Sequence, residues 1–155
     1  MKYAMIKTAL TLTMTLSAGL LSLAAHGQMS PVGLWRSIDD ATQQPKAEIR
    51  ITQKAGGGLS GVVERSLATT PSPEPNCNLC TDDRKGQPKI GMEIIRGGQQ
   101  SDGKTVWEGG KILDPENGKN YSLRLTPIDG GKKLEVRGFI GAPILGRTQT
   151  WIRIQ

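Results

Sequence analysis

From residue 28 onward the chain is cut into short apolar–polar alternations separated by Gly, Pro, Asn and Asp, and a 3.6-residue apolar stripe is almost absent. Side chains that switch face at every residue suit a half-buried strand and cannot line one side of a helix. The pattern predicts eight strands, at 32–38, 47–54, 59–66, 90–97, 105–113, 120–128, 132–139 and 146–154. In the third, Leu59, Gly61 and Val63 share one face, opposite Ser60, Val62 and Glu64; in the seventh, Leu134 and Val136 oppose Glu135 and Arg137. The breaks carry turn chemistry. Gly56-Gly57-Gly58, Ser101-Asp102-Gly103 and Asp129-Gly130-Gly131 are reverse-turn signals, and in Asp114-Pro115-Glu116-Asn117-Gly118 proline presets φ while Asn-Gly tolerates positive φ. One irregular stretch, Leu67 to Lys89, holds four of the nine prolines and both cysteines. Its polarity reads as a large loop across one end of the domain, outside the core. Eight antiparallel strands in chain order fit an all-β, up-and-down barrel, whose closure removes exposed sheet edges. A two-sheet sandwich is the alternative.

Ahead of the strands, Lys2 and Lys7 precede an uncharged apolar run from Thr8 to Leu23 that is diluted by Thr and Ser, followed by Ala25-His26-Gly27. This is the anatomy of a secretory signal peptide over residues 1–27, leaving a single domain over 28–155. The run is too polar for a membrane span. Export places the protein in the periplasm or outside the cell. Cleavage removes Lys2 and Lys7, taking the net charge from +6 to +4, and removes His26, the single histidine. The commonest general base and metal ligand is thereby lost. Basic residues are scattered among acids, and aromatics number six, which argues against nucleic acid as a partner. A weak contact with anionic envelope lipids stays open.

Several segments form a recognisable series: Gly33-Leu34-Trp35 with Ile38-Asp39-Asp40, Cys77-Asn78-Leu79-Cys80, Gly91-Met92, Gly109 to Gly118, Val136 to Gly141, and the closing Leu145-Gly146-Arg147-Thr148-Gln149-Thr150-Trp151. The series resembles the exported bacterial envelope family known as domain of unknown function 2147. The resemblance implies a lipocalin-like barrel and no particular activity. The Gly-x-Trp opening is similar to that of lipocalins, in which the Trp closes one barrel end beneath a basic residue of the last strand. Arg147 or Arg153 would take that part over Trp35, with Trp151 as a further structural residue.

Motifs that suggest chemistry fail on their surroundings. Residues 98–105 spell a phosphate loop and 56–61 a dinucleotide-binding glycine pattern, but each runs into a strand, whereas both chemistries need a helix N-terminus there. Cys77-x-x-Cys80 lacks the following histidine of a haem site and the further ligands of a zinc site. A disulfide between Cys77 and Cys80 suits an oxidising compartment. The pairs Asp39-Asp40 and Asp82-Asp83 belong to turns, and Glu93 and Glu108 read as solvent-facing strand members. No catalytic residue, metal site or cofactor emerges.

Two function classes remain ahead of an enzyme. The first is a carrier of a small apolar or amphipathic ligand, held in the barrel by Val63, Ile94, Leu123, Leu125 and Val136, with Tyr121 or Arg137 as a polar handle near a mouth. Its premise is an under-filled lumen, because Phe139 is the only Phe and Gly61, Gly91, Gly109, Gly110 and Gly138 fall in strands. The second is a structural or protein-interaction module of the cell envelope, with a packed barrel and no ligand. Its premise is that the same glycines let the strands coil tightly.

Overall fold

A computed structural model describes residues 29–70 and 72–155; the expected signal peptide lies outside the described residues. The strands are β1 (Gly33–Ile38), β2 (Pro45–Gln53), β3 (Leu59–Ser66), β4 (Glu93–Arg96), β5 (Gln99–Gln100), β6 (Trp107–Asp114), β7 (Lys119–Ile128), β8 (Lys133–Phe139) and β9 (Arg147–Arg153). All pairings are antiparallel, and β1 pairs with β9 while β4 pairs with β6. The ring β1-β2-β3-β4-β6-β7-β8-β9 is therefore closed, and the eight-stranded barrel expected from the alternation is the observed fold. Two-residue β5 is an offshoot on the edge of β6. The fourth strand is shorter than the pattern suggests, because Gly91 has φ +83° and sits in a loop, and Gly97 and Gly98 bend the chain with φ +76° and +92°.

Register fixes which side chains meet inside. Trp35 faces Ile49, which faces Val63; Ile95 faces Ile112, which faces Tyr121; Leu125 lies between Trp107 and Val136; Leu134 faces Trp151. All of these except Tyr121 belong to one apolar cluster inside the barrel. Burying them supplies the main driving force for closure, at about 25 cal/mol per Å2 of apolar surface.

The expectation of an under-filled lumen meets two corrections. All three tryptophans point inward, at 0% exposure for Trp35, 2% for Trp151 and 6% for Trp107. The lumen-facing strand glycines Gly61 and Gly110 mark close approach and not vacancy: a Cβ on Gly61 would lie 2.8 Å from Ile95 Cβ, and one on Gly110 would lie 2.7 Å from the Gly98 nitrogen. Counting Phe alone missed the bulk that fills the barrel.

The segment from Leu67 to Lys89 also departs from its reading as a loop outside the core: Cys77 and Cys80 are buried and disulfide-bonded to each other, and Met92, just beyond the segment, is buried with them. The segment folds over the outer side of β4, β6 and β7, where it covers Leu113, whose side chain faces away from the lumen. Gly118 has φ +69° and sits directly against the Leu79 carbonyl, so any side chain there would collide with the disulfide loop. Arg84, only 5% exposed, ties the segment down by donating to Asp82, to the Glu93 carbonyl at 2.9 Å and to Asn120 Oδ1 at 2.6 Å.

Candidate functional site

The two barrel ends are built differently. At one end lie the start of β1, the β2–β3 turn, the β5–β6 loop, the β7–β8 turn and the C-terminus. Trp35 seals it. Its Nε1 donates to the Pro31 carbonyl at 2.7 Å, and Arg153 lies over its ring, 4.1 Å from guanidinium carbon to ring centre. Arg153 also donates to the carbonyls of Ser30, Val32 and Gly131 at 2.5, 2.8 and 2.5 Å. Burial pulls the Arg153 guanidinium below its ordinary pKa. Gly33 explains the Gly-x-Trp spacing: φ is +146°, and a Cβ would lie 2.5 Å from Arg153 Nη1. Of the two arginines considered for this role, Arg153 fills it.

Arg147 lies at the other end, among the β1–β2 and β8–β9 loops and the β6–β7 turn. Lumen-facing residues become progressively exposed toward this mouth. Along β7 the series runs from fully buried Leu125 through Leu123 to half-buried Tyr121; along β9 it runs from buried Trp151 through half-buried Gln149 to exposed Arg147. Ile112 and Gly138 are half-buried beside Tyr121. A polar chain climbs one wall. Trp151 Nε1 donates to Gln149 Oε1 at 3.3 Å, Gln149 Nε2 donates to Asp40 Oδ2 at 3.0 Å, and Arg147 pairs with the same Asp40 oxygen. This chain draws the β1–β2 loop toward the rim. Beside it the β8–β9 loop exposes Ile140, Ile144 and Leu145, at 62, 84 and 77%.

The residues expected to contact a ligand are thus divided. Tyr121 is at the mouth, and its hydroxyl accepts from Asn117 Nδ2 at 3.1 Å. Leu123 and Val136 form the next layer down, while Leu125, Val63 and Ile94 belong to the packed core, Ile94 at a register shift between β3 and β4. Arg137 is on the outer face, opposite Arg124, and its guanidinium donates to the Pro143 carbonyl at 2.9 and 2.6 Å and to Thr148 Oγ1 at 2.6 Å. Ile112, Gln149 and Asp40 were not anticipated as mouth residues. The run Ala142-Pro143-Ile144-Leu145 did carry a signal, since four apolar residues in a loop are out of place where loops are ordinarily polar.

The acidic residues are engaged in structure. Glu93 accepts from Lys54, Ser60 and Arg96; burial pushes its carboxyl up, and these donors together outweigh that and hold it below the usual range. Arg84 holds Asp82 well below the carboxylate range, and hydrogen bonding from Arg96 lowers the carboxyl of Asp83. Glu108 pairs with Arg124 at 3.1 Å. Among the described residues no group of three His, Cys, Asp or Glu side chains could hold a metal ion, and no helix is long and apolar enough to cross a membrane.

A closed up-and-down barrel with one end sealed by Trp and Arg defines a lipocalin-like protein. The solved structure of protein HP1028 from the human pathogen Helicobacter pylori, described as belonging to the lipocalin family, is similar to this chain with a TM-score of 0.67 at 15% identity, covering 80% of this chain and 82% of that one. That likeness concerns the fold. The family model for "uncharacterized protein conserved in bacteria" (domain of unknown function 2147) matches residues 33–153, and the chain belongs to that family. Comparison with curated proteins gives no match.

Proposed function

We propose that the protein is an exported, non-catalytic binding module that takes a small amphipathic ligand in the mouth of its barrel. The observation that carries this reading is the one-sided exposure gradient. The lumen-facing positions of β6 to β9 nearest the mouth, Ile112, Tyr121, Gly138, Gln149 and Arg147, are half-buried or exposed, while Trp107, Leu125, Leu134 and Trp151, deeper in the barrel, are buried. The apolar part of the ligand would rest on Ile112 and Tyr121 above Leu123 and Val136, and its polar end would meet Gln149 and Arg147. The packed lower lumen restricts it to a shallow seat, so Val63, Ile94 and Leu125 would act as its foundation. The disulfide supports an oxidising compartment, the periplasm or the exterior.

A fluorescent fatty-acid-like probe tests the reading. Saturable, one-to-one uptake that stabilises the protein is expected, and Ile112→Trp should abolish it by filling the mouth while leaving the fold intact. Uptake unaffected by Ile112→Trp, or no saturable uptake at all, would sink it. The second reading, an envelope interaction module, is favoured by the packed lumen together with the exposed Ile140, Ile144 and Leu145. It is the one that survives if the folded protein takes up no probe.

A further inference from the structure

The outer wall of β6 to β9 carries a concavity of about 350 Å3, away from the mouth. Barrel walls are convex, so a groove here needs raised edges. One edge is Lys104 and Val106, from the β5–β6 loop; the other is Arg137, whose guanidinium is pinned to the Pro143 carbonyl and Thr148 Oγ1. The floor follows from register. Arg124 faces Arg137, which faces Thr148, in one cross-strand row; Thr126 faces Glu135 in the next. The volume reaches the lower end of the range of small-molecule sites, and the charged and polar lining suits a polar occupant, not an apolar one.

The charges in the groove are only partly used. Glu108 takes Arg124 Nη2, but Arg124 Nε is buried without an acceptor, which leaves donor capacity on that guanidinium. Two arginines directly opposite on neighbouring strands repel, and Glu108 neutralises one of them. Among the described residues the Lys104 ammonium and the Glu135 carboxylate have no hydrogen-bond or ion-pair partner, yet both side chains line the same groove. A cation, a carboxylate and two threonine hydroxyls around one small space complement a molecule bearing both charges.

We propose that this groove binds a small zwitterion, of the size of an amino acid or dipeptide, with its ammonium on Glu135 and its carboxylate between Lys104 and Arg124. The inference is independent of the mouth. Titration of the 15N-labelled protein with alanyl-alanine, followed by amide shifts, tests it. Saturable shifts centred on Thr126, Glu135 and Thr148 are expected. N-acetyl-alanyl-alanine, without the ammonium, and alanyl-alaninamide, without the carboxylate, should each bind at least about tenfold more weakly. Glu135→Gln should remove the preference for the free ammonium, and Lys104→Ala the preference for the free carboxylate. Both are surface changes, and an unchanged spectrum away from the groove verifies the fold. Shifts that never saturate, equal binding of all three compounds, or shifts centred on Tyr121 and Gln149 would overturn the assignment, the last pointing instead to the mouth.

Discussion

Arg153 and Arg147 stand six residues apart on β9, both on its lumen side, and the two barrel ends differ as these two residues do. Arg153 lies over a fully buried Trp and donates to backbone carbonyls of two separate segments, Ser30 and Val32 ahead of β1 and Gly131 in the β7–β8 turn. Arg147 makes an exposed ion pair with Asp40. A charge hydrogen-bonded in a desolvated place ties the chain ends to the barrel, because losing it strands several acceptors at once. A charge in water at the rim holds one loop weakly and can exchange partners. One strand therefore builds a permanent seal at one end and an adaptable rim at the other.

The largest expected effect comes from breaking the seal. Trp35→Ala removes a side chain with 0% exposure and leaves Arg153 without its ring. A loss of about 3–5 kcal/mol is expected, as for other core Trp-to-Ala changes. Equilibrium denaturation measures it, and an unchanged midpoint would show that the two ends do not differ in the way described.

Next in size is Arg153→Ala. The carbonyls of Ser30, Val32 and Gly131 would lose their shared donor, and a loss of about 1–3 kcal/mol follows from stranding these part-buried acceptors. Amide exchange should locate the damage. Faster exchange near Leu34 and Ile154, with little change at Tyr121, would sharpen the contrast between the ends; uniform acceleration across the barrel would remove it.

The sealed end was legible in the sequence and the mouth was not, for a physical reason. Gly33 and Trp35 carry their constraint within three residues, and turn residues mark each strand end locally, so the eight strands fall within a few residues of their expected bounds except where Gly91, Gly97 and Gly98 shorten the fourth. The disulfide between Cys77 and Cys80 was readable from spacing and compartment. Its burial against Leu113 was not, because that depends on a segment folding back over strands almost forty residues away. Arg137 was expected as a polar handle near a mouth even though alternation sets it opposite inward-facing Val136; the β7–β8 register places it beside Arg124 on the outer wall, as the alternation alone implied. Mouth residues such as Asp40 and Gln149, 109 positions apart, meet only once β1 and β9 close the ring.

The smallest expected effect is at Arg147. Its side chain is 69% exposed and its single acidic partner, Asp40, is 36% exposed. Ion pairs in such a setting contribute about 0–1 kcal/mol, so Arg147→Ala should move the denaturation midpoint very little. Gln149 still donates to Asp40 and keeps one hold on the β1–β2 loop. The consequence should appear in motion: amides of residues 39–44 should exchange faster, while those of β1 and β9 near Trp35 stay protected. If the mouth seats a ligand, freeing this loop should raise probe dissociation more than it lowers stability. A destabilisation as large as that of Arg153→Ala would mean that the rim is as tightly built as the seal, and the division between a fixed end and an adaptable one would fall.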